Sequence, residues 1–212
     1  MSEKIIKNPI FDDGKLLPIM EEFYSLQGEG YHTGKAAYFI RIGGCDIGCK
    51  WCDVKMSWKA LHLALQPVER IVENAIGFSA NAIVVTGGEP ALYPLDFLCD
   101  SFKQNKFETF LETSGAYPLT GFWDWVCLSP KRNKAPKSYN YMFADELKVI
   151  ISSREDLEWA EYNSLKVRSR CILYLQPEWS VLNEILPEII EYIKKNPKWR
   201  ISLQAHKFMN IP

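Results

Sequence analysis

The sequence predicts an α/β fold, and two patterns carry this prediction. Several short runs are apolar throughout, for example residues 83–85 and 172–175, as in strands that are buried on both faces of a parallel sheet. Helical stretches alternate with these runs, which is the order of βαβ units. Three clear helices are too few for a complete eight-fold barrel. We therefore predict a partial (incomplete) TIM-type barrel of about six parallel strands with a reduced helix complement, or an open sheet of the same strands.

The predicted helices and strands follow one another along the chain. A helix over residues 68–76 begins after Pro67, and proline is common at helix starts. A second helix, over residues 153–165, opens with the capping residue Ser153, since a serine side chain can accept from the first free amides. A third, over residues 181–195, carries its cations in the last turn, where the helix dipole favours them. The strands are predicted at residues 37–42, 82–86, 109–112, 125–129, 147–151, 172–176 and 200–204.

Composition places the chain among globular proteins. Its 212 residues are 47% hydrophobic and 24% charged, which is too apolar for a disordered chain and too charged for a membrane protein. The formal net charge of -1 argues against nucleic acid as the main partner, because phosphate binding normally requires a basic surface. The sequence shows neither a secretory signal nor a membrane-spanning run. We expect one cytoplasmic domain over residues 1–212, with reduced cysteines.

Polar or turn residues follow four of the predicted strands. In α/β sheets and barrels, ligands bind at the carboxyl ends of the strands. One such turn is weak evidence, because a turn is also needed simply to reverse the chain, but four together predict a shared site. The four segments are Thr86-Gly-Gly-Glu-Pro90, Glu112-Thr-Ser-Gly115, Ser129-Pro-Lys131 and Gln176-Pro177.

Three of the six cysteines lie close together in the sequence. Cys45, Cys49 and Cys52 have the spacing Cys-x3-Cys-x2-Cys, and a loop of this kind can fold around one metal centre. A structural zinc site normally has four ligands, whereas a four-iron, four-sulfur cluster on three cysteines keeps one iron open. The alternative is a zinc site completed by His32 or His62. The other cysteines, at positions 99, 127 and 171, lie in apolar surroundings and are predicted to be core thiols.

Two further features point to a ligand without deciding the matter. Arg41 lies within an apolar strand, and a buried guanidinium needs an anionic partner, which is either a ligand or an internal carboxylate. The tail after the last strand either folds back over the site or frays, as chain termini often do.

The cysteine motif, with Trp51 before its last cysteine, resembles the signature of the radical S-adenosylmethionine superfamily. In that superfamily the open iron holds the amino and carboxylate groups of S-adenosylmethionine. The Gly-Gly-Glu segment is similar to a second superfamily motif, which meets the methionine amino group. The chain as a whole resembles the 7-carboxy-7-deazaguanine synthase family. This resemblance is carried by Leu26-Gln-Gly-Glu-Gly30, Arg41, the three cysteines, the four strand-end segments, Gln204-x-His206-Lys207 and Pro212.

The resemblance implies an enzyme, a lyase of queuosine and 7-deazapurine biosynthesis. Such an enzyme converts 6-carboxy-5,6,7,8-tetrahydropterin into 7-carboxy-7-deazaguanine by ring contraction with loss of ammonia. The implied cofactors are a 4Fe-4S cluster, S-adenosylmethionine that is regenerated, and Mg2+. The implied partners are the pterin substrate, an electron donor such as a flavodoxin or ferredoxin, and a second copy of the chain in a homodimer, with no nucleic acid and no membrane.

The resemblance also assigns site residues, and it assigns no catalytic group beyond the cluster and the cofactor. Cys45, Cys49 and Cys52 would ligate the cluster. Within the substrate set, Arg41 would meet the substrate carboxylate, and the terminal carboxylate of Pro212 would reach the aminopyrimidine edge. The positions similar to S-adenosylmethionine contacts are Gly88, Glu89, Ser129, Pro130, Lys131 and Gln176, and those similar to substrate contacts are Leu26, Gln27, Gly28, Glu29, Arg41, Thr86, His206 and Pro212. The N-terminal loop (about residues 20–35) and the C-terminal tail (205–212) would complete the substrate site.

One position departs from the family pattern. The family usually has threonine or serine two residues after the last cluster cysteine, where the hydroxyl binds magnesium, but this chain has Val54. A valine cannot ligate a hard cation, which prefers oxygen ligands. Either substrate oxygens, water and Asp53 hold the ion, or Lys55 supplies positive charge in its place. Our hypothesis is that this enzyme depends less on magnesium than its hydroxyl-bearing relatives.

Two alternative functions stay open at this point. Another radical S-adenosylmethionine enzyme, such as a glycyl-radical activase, shares the cysteine spacing, although the loop at residues 27–30 and Pro212 argue against it. A structural module that binds zinc or a cluster without catalysis is the second alternative. It predicts either a colourless zinc protein or a cluster that is indifferent to S-adenosylmethionine.

Overall fold

The computed structural model describes residues 13–60 and 63–212, and this part of the chain forms one mixed sheet of nine strands. The strands are β1 (Leu16–Leu26), β2 (Ala36–Ile42), β3 (Leu65–Pro67), β4 (Ala82–Gly87), β5 (Glu108–Thr113), β6 (Trp125–Leu128), β7 (Glu146–Ile151), β8 (Ile172–Pro177) and β9 (Trp199–Ile201). Their order is β3-β1-β2-β4-β5-β6-β7-β8-β9. From β2 to β9 the neighbouring strands run parallel. Because β3 and β9 lie at opposite ends of the order, the sheet does not close, which confirms the partial barrel.

The structure confirms all seven predicted strands and adds two that were missed. The last predicted strand ends early, at Ile201, because the chain turns there toward a C-terminal helix. The missed strands are β1 and β3, which pair antiparallel at one end of the sheet. Strand β1 contains Glu21 and Glu22 among its apolar residues, so it has no continuous apolar run. The predicted loop over residues 20–35 is therefore wrong in its first part, since strand β1 extends to Leu26.

Five α-helices lie in the described part of the chain. They are α1 (Val68–Ile76), α2 (Asp96–Gln104), α3 (Glu155–Ser164), α4 (Leu182–Lys195) and α5 (Ala205–Met209). The three predicted helices are α1, α3 and α4, whereas α2 and α5 were missed. The predicted Ser153 cap is wrong, because α3 begins at Glu155 without a side-chain cap from the preceding residue. Instead, the carboxylate of Asp156 accepts hydrogen bonds from the amides of Ser152 and Ser153.

Strand β4 shows why an apolar run in the sequence predicts a strand of this sheet. Successive side chains of a strand point to opposite faces, and Ile83 and Val85 pack into a large core with residues of α1 and α2. Val84, between them, packs on the other face against Phe39 and Phe110. Both faces are therefore buried. No helix in the described part of the chain is both long enough and apolar enough to cross a membrane.

Candidate active site

One cavity of about 310 Å3 lies where the parallel strands end. The four strand-end segments that predicted a shared site all contribute to its walls, as do the cysteine loop, the loop after β1 and the C-terminal tail. Of the predicted site residues, only Pro130 does not line this cavity, and it is buried beside it. The structure thus brings the predicted residues together at the carboxyl ends of the strands.

The three clustered cysteines line part of the cavity wall. Burial, together with the negative charges of Glu89 and the other two thiols, raises the pKa of Cys45 to about 11. Burial also raises the pKa of Cys49. Such thiols keep their protons until a metal displaces them. The indole Nε1 of Trp58 donates to the Sγ of Cys52 at 3.4 Å, which holds the third sulfur in place.

Three cysteine thiols that line one cavity could together ligate an iron–sulfur cluster. A four-iron cluster is wider than one ion and takes thiolate ligands. His32 cannot complete a zinc site here, because its ring stacks on Phe110 at 4.2 Å between centroids and faces a separate cavity. His62 lies outside the described residues.

A neighbouring loop fixes the cysteine loop in position. The side-chain amide of Asn133 donates to the carbonyl oxygens of Ile47 at 3.2 Å and Gly48 at 2.9 Å. Asp46, in the same loop, accepts from the hydroxyl of Tyr117 at 2.6 Å and from the Nζ of Lys134 at 2.8 Å. Asn133 was missed in the sequence analysis, because nothing in its neighbourhood marks it as a partner of a loop some 85 residues away.

The glycines of the Gly-Gly-Glu segment allow it to approach the cysteine loop. A Cβ on Gly87 would lie 2.2 Å from the carbonyl oxygen of Ile42, and one on Gly88 would lie 2.3 Å from that of Gly44. Backbone hydrogen bonds occupy this space instead, including Glu89 N to Gly44 O at 2.8 Å. Only glycine fits such a close backbone contact.

The carboxylate of Glu89 is bound within the chain. It is almost fully buried and accepts from Ala91 N at 3.0 Å, from Thr113 Oγ1 at 2.6 Å, and from both the amide and the hydroxyl of Ser114. It therefore ties the end of β4 to the end of β5. A contact between this residue and S-adenosylmethionine stays a prediction.

The remaining residues assigned to S-adenosylmethionine meet at the ends of β6 and β8. Lys131 Nζ donates to Ser129 Oγ at 2.5 Å and lies 5.0 Å from the centroid of the Trp51 ring. Gln176 is buried, and its Oε1 accepts from Ser202 Oγ at 2.7 Å.

A second part of the cavity wall is polar and well ordered by hydrogen bonds. Gln27 Nε2 donates to Glu112 Oε1 at 2.9 Å, and Thr86 Oγ1 donates to Glu112 Oε2 at 3.2 Å. Arg41 is the register partner of Thr86 in the adjacent strand. Its Nε donates to Glu21 at 2.6 Å, so the internal carboxylate that the sequence left open as a partner is present. Arg41 nevertheless lines the cavity, and its other guanidinium nitrogens are not used by Glu21.

Lys148 is the most important residue that the sequence analysis missed. Its Nζ forms an ion pair with Glu29, and the two side chains are only 5% and 15% exposed. Burial alone raises the pKa of Glu29, but the Lys148 ammonium overrides this and holds the pKa at about 2. Burial likewise opposes the charge of Lys148, yet Cys127 and the carboxylates of Glu112, Glu29 and Glu146 raise its pKa well above the ordinary value. The sequence did contain a signal for this residue, namely a lysine within the otherwise apolar strand β7.

The C-terminal tail packs against the loop after β1 at the cavity wall instead of fraying. Ala205 N donates to Gly28 O at 2.8 Å, and a Cβ on Gly28 would lie 2.2 Å from Nδ1 of His206. Burial lowers the pKa of His206, which favours the neutral ring. Ser25 Oγ donates to Pro212 O at 3.3 Å.

The segment after the last cysteine does not form an oxygen-rich ion site. Val54 lines the cavity with its apolar side chain, and Ser57, which is fully buried, donates its hydroxyl to Val54 O at 2.6 Å. Asp53 Oδ2 accepts from Gln204 Nε2 at 2.9 Å and Lys207 Nζ at 2.7 Å. Lys55 is exposed and does not line the cavity, so it does not supply charge there.

The three predicted core thiols divide into two groups. Cys99 and Cys171 lie in the apolar cores. Cys127 is buried too, but it lines the cavity beside Lys148. Burial and the nearby Glu146 carboxylate raise its pKa well above the ordinary value.

Comparison with known proteins agrees with this site. The model of the radical SAM superfamily matches residues 39–126. A 7-carboxy-7-deazaguanine synthase of Flavobacterium psychrophilum is 55% identical over 95% of each chain. One of Synechocystis sp. is 47% identical over 92% of this chain and 93% of its own. A crystal structure of QueE from Escherichia coli matches with a TM-score of 0.81 and 32% identity, over 94% of this chain and 99% of that chain.

Proposed function

The chain belongs to the 7-carboxy-7-deazaguanine synthase family of radical S-adenosylmethionine enzymes, and we propose that it converts 6-carboxy-5,6,7,8-tetrahydropterin into 7-carboxy-7-deazaguanine in queuosine biosynthesis. One observation supports this most strongly. A single cavity is lined both by the three cysteine thiols and by a polar set built on Gln27, Glu29 and Glu112. A cofactor on the thiols and a polar heterocycle would therefore share one cavity.

The three thiols of Cys45, Cys49 and Cys52 suit a 4Fe-4S cluster. When bound, the cluster would supply the electron for cleavage of S-adenosylmethionine, the source of the 5′-deoxyadenosyl group that would take a hydrogen atom from carbon 6 of the substrate. The chain's own residues orient the reactants. Gly88 brings backbone to the cysteine loop, and Ser129, Lys131 and Gln176 line the same cavity. Glu89 supports the cavity wall through its hydrogen bonds to the end of β5.

The polar part of the cavity wall suits the pterin. An aminopyrimidine edge presents N–H donors, and Glu29, which stays ionised because its pKa is about 2, is a strong acceptor for them. Arg41 can offer its terminal nitrogens to the substrate carboxylate while its Nε stays on Glu21. Leu26, Gln27, Gly28, Thr86, His206 and Pro212 complete this set in our proposal, and all of them line the cavity.

Magnesium does not fit the residues near the cysteines. Val54 offers no oxygen from its side chain, and Asp53 is already bound to Lys207. Any magnesium ion at this position would therefore depend on substrate oxygens and water. Reduced magnesium dependence is accordingly part of the proposal.

Three further parts of the proposal rest on the family. The enzyme uses a one-electron donor such as a flavodoxin or ferredoxin, works as a homodimer, and acts in the cytoplasm, where thiols stay reduced. Light scattering of the purified protein tests the homodimer directly, since it gives the mass of the particle in solution.

The experiment that tests the function is an anaerobic turnover followed by mass spectrometry. Reconstituted, untagged protein is mixed with S-adenosylmethionine, dithionite, magnesium and 6-carboxy-5,6,7,8-tetrahydropterin. We expect 7-carboxy-7-deazaguanine from the wild type and none from Cys49→Ala. Release of 5′-deoxyadenosine without this product would instead favour another radical enzyme, such as a glycyl-radical activase. A zinc-loaded, colourless protein would favour the structural module.

A further inference from the structure

Ser202 is a buried serine outside the residues assigned to either ligand. It is 2% exposed and does not line the cavity. It follows β9, where its amide donates to Leu175 O at 2.9 Å. Its Oγ donates to Oε1 of Gln176 at 2.7 Å and accepts from the amide of Gly30 at 2.9 Å. The hydroxyl therefore bridges strand β8, which carries Gln176, and the loop after β1, which carries Gly30.

The chemistry of the groups fixes the direction of these hydrogen bonds. A backbone amide only donates, so the Ser202 oxygen accepts from Gly30 and its own proton is free for Gln176. The Gln176 side chain is also a hydrogen-bond partner of the Glu29 carboxylate. An ionised carboxylate only accepts, so Gln176 must turn its NH2 group to Glu29 and its Oε1 to Ser202. The Ser202 hydroxyl therefore selects the amide orientation of Gln176 that Glu29 requires.

The loop end of this chain of hydrogen bonds is held from a second side. Gly30 has a φ of +65°, and a Cβ at this position would clash with Oε1 of Glu146. The next amide, that of Tyr31, donates to Oε2 of the same carboxylate at 3.0 Å. Glu146 itself is 2% exposed. Ser202 and Glu146 together therefore fix the segment directly after Glu29.

We propose that Ser202 is a positioning residue that couples the binding of S-adenosylmethionine to the binding of the pterin. This rests on the proposed function, in which Gln176 faces the cofactor and Glu29 faces the pterin. Each ligand would hold its own contact residue in one orientation, and the Ser202 hydroxyl passes that constraint to the other residue. Coupling between two bound ligands is reciprocal, so each ligand should tighten the other by the same factor.

The competing explanation is that Ser202 only stabilises the fold by tying β8 to the loop after β1. A purely structural loss would weaken the folded state, or both ligands, without changing the effect of one ligand on the other. The coupling factor is the ratio of the pterin dissociation constants without and with S-adenosylmethionine. This factor separates the two explanations.

The test uses the reconstituted full chain with its cluster oxidised, so that both ligands bind without turnover. Anaerobic calorimetry gives the Kd of 6-carboxy-5,6,7,8-tetrahydropterin with and without S-adenosylmethionine, and the reverse titration checks the reciprocity. The test variants are Ser202→Ala and Ser202→Cys; the second keeps nearly the size of the side chain but is a weak hydrogen-bonding group. The control Ser101→Ala removes a serine hydrogen bond to Phe97 O in helix α2, at a position that does not line the cavity.

We expect S-adenosylmethionine to tighten pterin binding by about fivefold or more in the wild type and in Ser101→Ala. In Ser202→Ala and Ser202→Cys the coupling factor should fall below about twofold. The proposal is overturned if the wild type shows no coupling, or if either Ser202 variant keeps the wild-type factor. A wild type that binds no pterin, or that forms no 7-carboxy-7-deazaguanine after reduction, would instead overturn the proposed function itself.

Discussion

The buried ion pair between Lys148 and Glu29 can be tested by removing its cation. Lys148→Met keeps the length and apolar stem of the side chain but leaves Glu29, Glu112 and Glu146 without their common counter-charge. The pKa of Glu29 lies at about 2 instead of its ordinary 4.5, which corresponds to roughly 3 kcal/mol in favour of the ionised form. Breaking one side of a buried pair typically costs about 3–5 kcal/mol. We expect a loss of that size in the free energy of unfolding at pH 7.

The sign of the pH dependence follows from the same value. Because the folded-state pKa of Glu29 is depressed, the pair stabilises the protein above pH 4.5, and this stabilisation is lost as the pH falls toward 2. The variant should lack this contribution, so its disadvantage relative to the wild type should shrink in acid. It should also bind the pterin weakly, since its Glu29 no longer ionises readily.

The assay is urea unfolding of the apoprotein, followed by tryptophan fluorescence, for the wild type, Glu29→Gln, Lys148→Met and the double variant. The double variant should be at least about 1.5 kcal/mol more stable than the sum of the single effects predicts, because a neutral glutamine in place of Glu29 needs no cation. Lys148→Arg should restore most of the stability. A Lys148→Met loss below about 1 kcal/mol, or strictly additive effects, would refute the reasoning.

Three other perturbations have clear expected outcomes. Gly28→Ala places a Cβ 2.2 Å from His206 Nδ1, so it should displace the tail and raise the KM for the pterin by roughly tenfold, a change of about 1.4 kcal/mol. Asn133→Ala removes two hydrogen bonds to the cysteine loop and should reduce the iron retained per protein after desalting, with a stability loss of about 1–2 kcal/mol. A chelator should leave most of the activity of the wild type, whereas Val54→Thr should make activity respond to added magnesium.

Each of these predictions has an outcome that contradicts it. An unchanged pterin KM for Gly28→Ala would mean that the tail does not form part of the substrate site. Full iron retention by Asn133→Ala would mean that the cysteine loop needs no support, and Lys137→Ala, an exposed change nearby, serves as its control. Activity that vanishes in chelator and returns only with magnesium would refute the role given to Val54.

The sequence predicts the parallel part of the sheet because burial there is symmetric. In β4 and β8 both faces are covered, so the apolar residues follow one another without interruption. Such a run identifies the segment as a strand. Strand β1 was missed for the opposite reason, since its exposed and buried residues alternate irregularly and include Glu21 and Glu22. Helix α5 was missed because five residues are too few for a helical period to emerge.

The site was predictable where its residues are close in sequence and hidden where they are not. The cysteine triad and the Gly-Gly-Glu segment are local patterns, each fixed by its own spacing. By contrast, Lys148 and Glu29 are 119 residues apart and meet only because β7 and the loop after β1 face the same cavity. A buried charge in an apolar strand signals that a partner exists, but it does not say which one.

The most direct test of the central claim uses the pterin deuterated at carbon 6. If the cofactor on the thiols and the pterin at Glu29 share one cavity, the 5′-deoxyadenosyl group takes its hydrogen from that carbon. Mass spectrometry should then find deuterium in 5′-deoxyadenosine or in recovered S-adenosylmethionine, together with the product 7-carboxy-7-deazaguanine. Deuterium that never enters the adenosyl group while product forms would contradict the claim, because the two ligands would then not meet as the cavity requires.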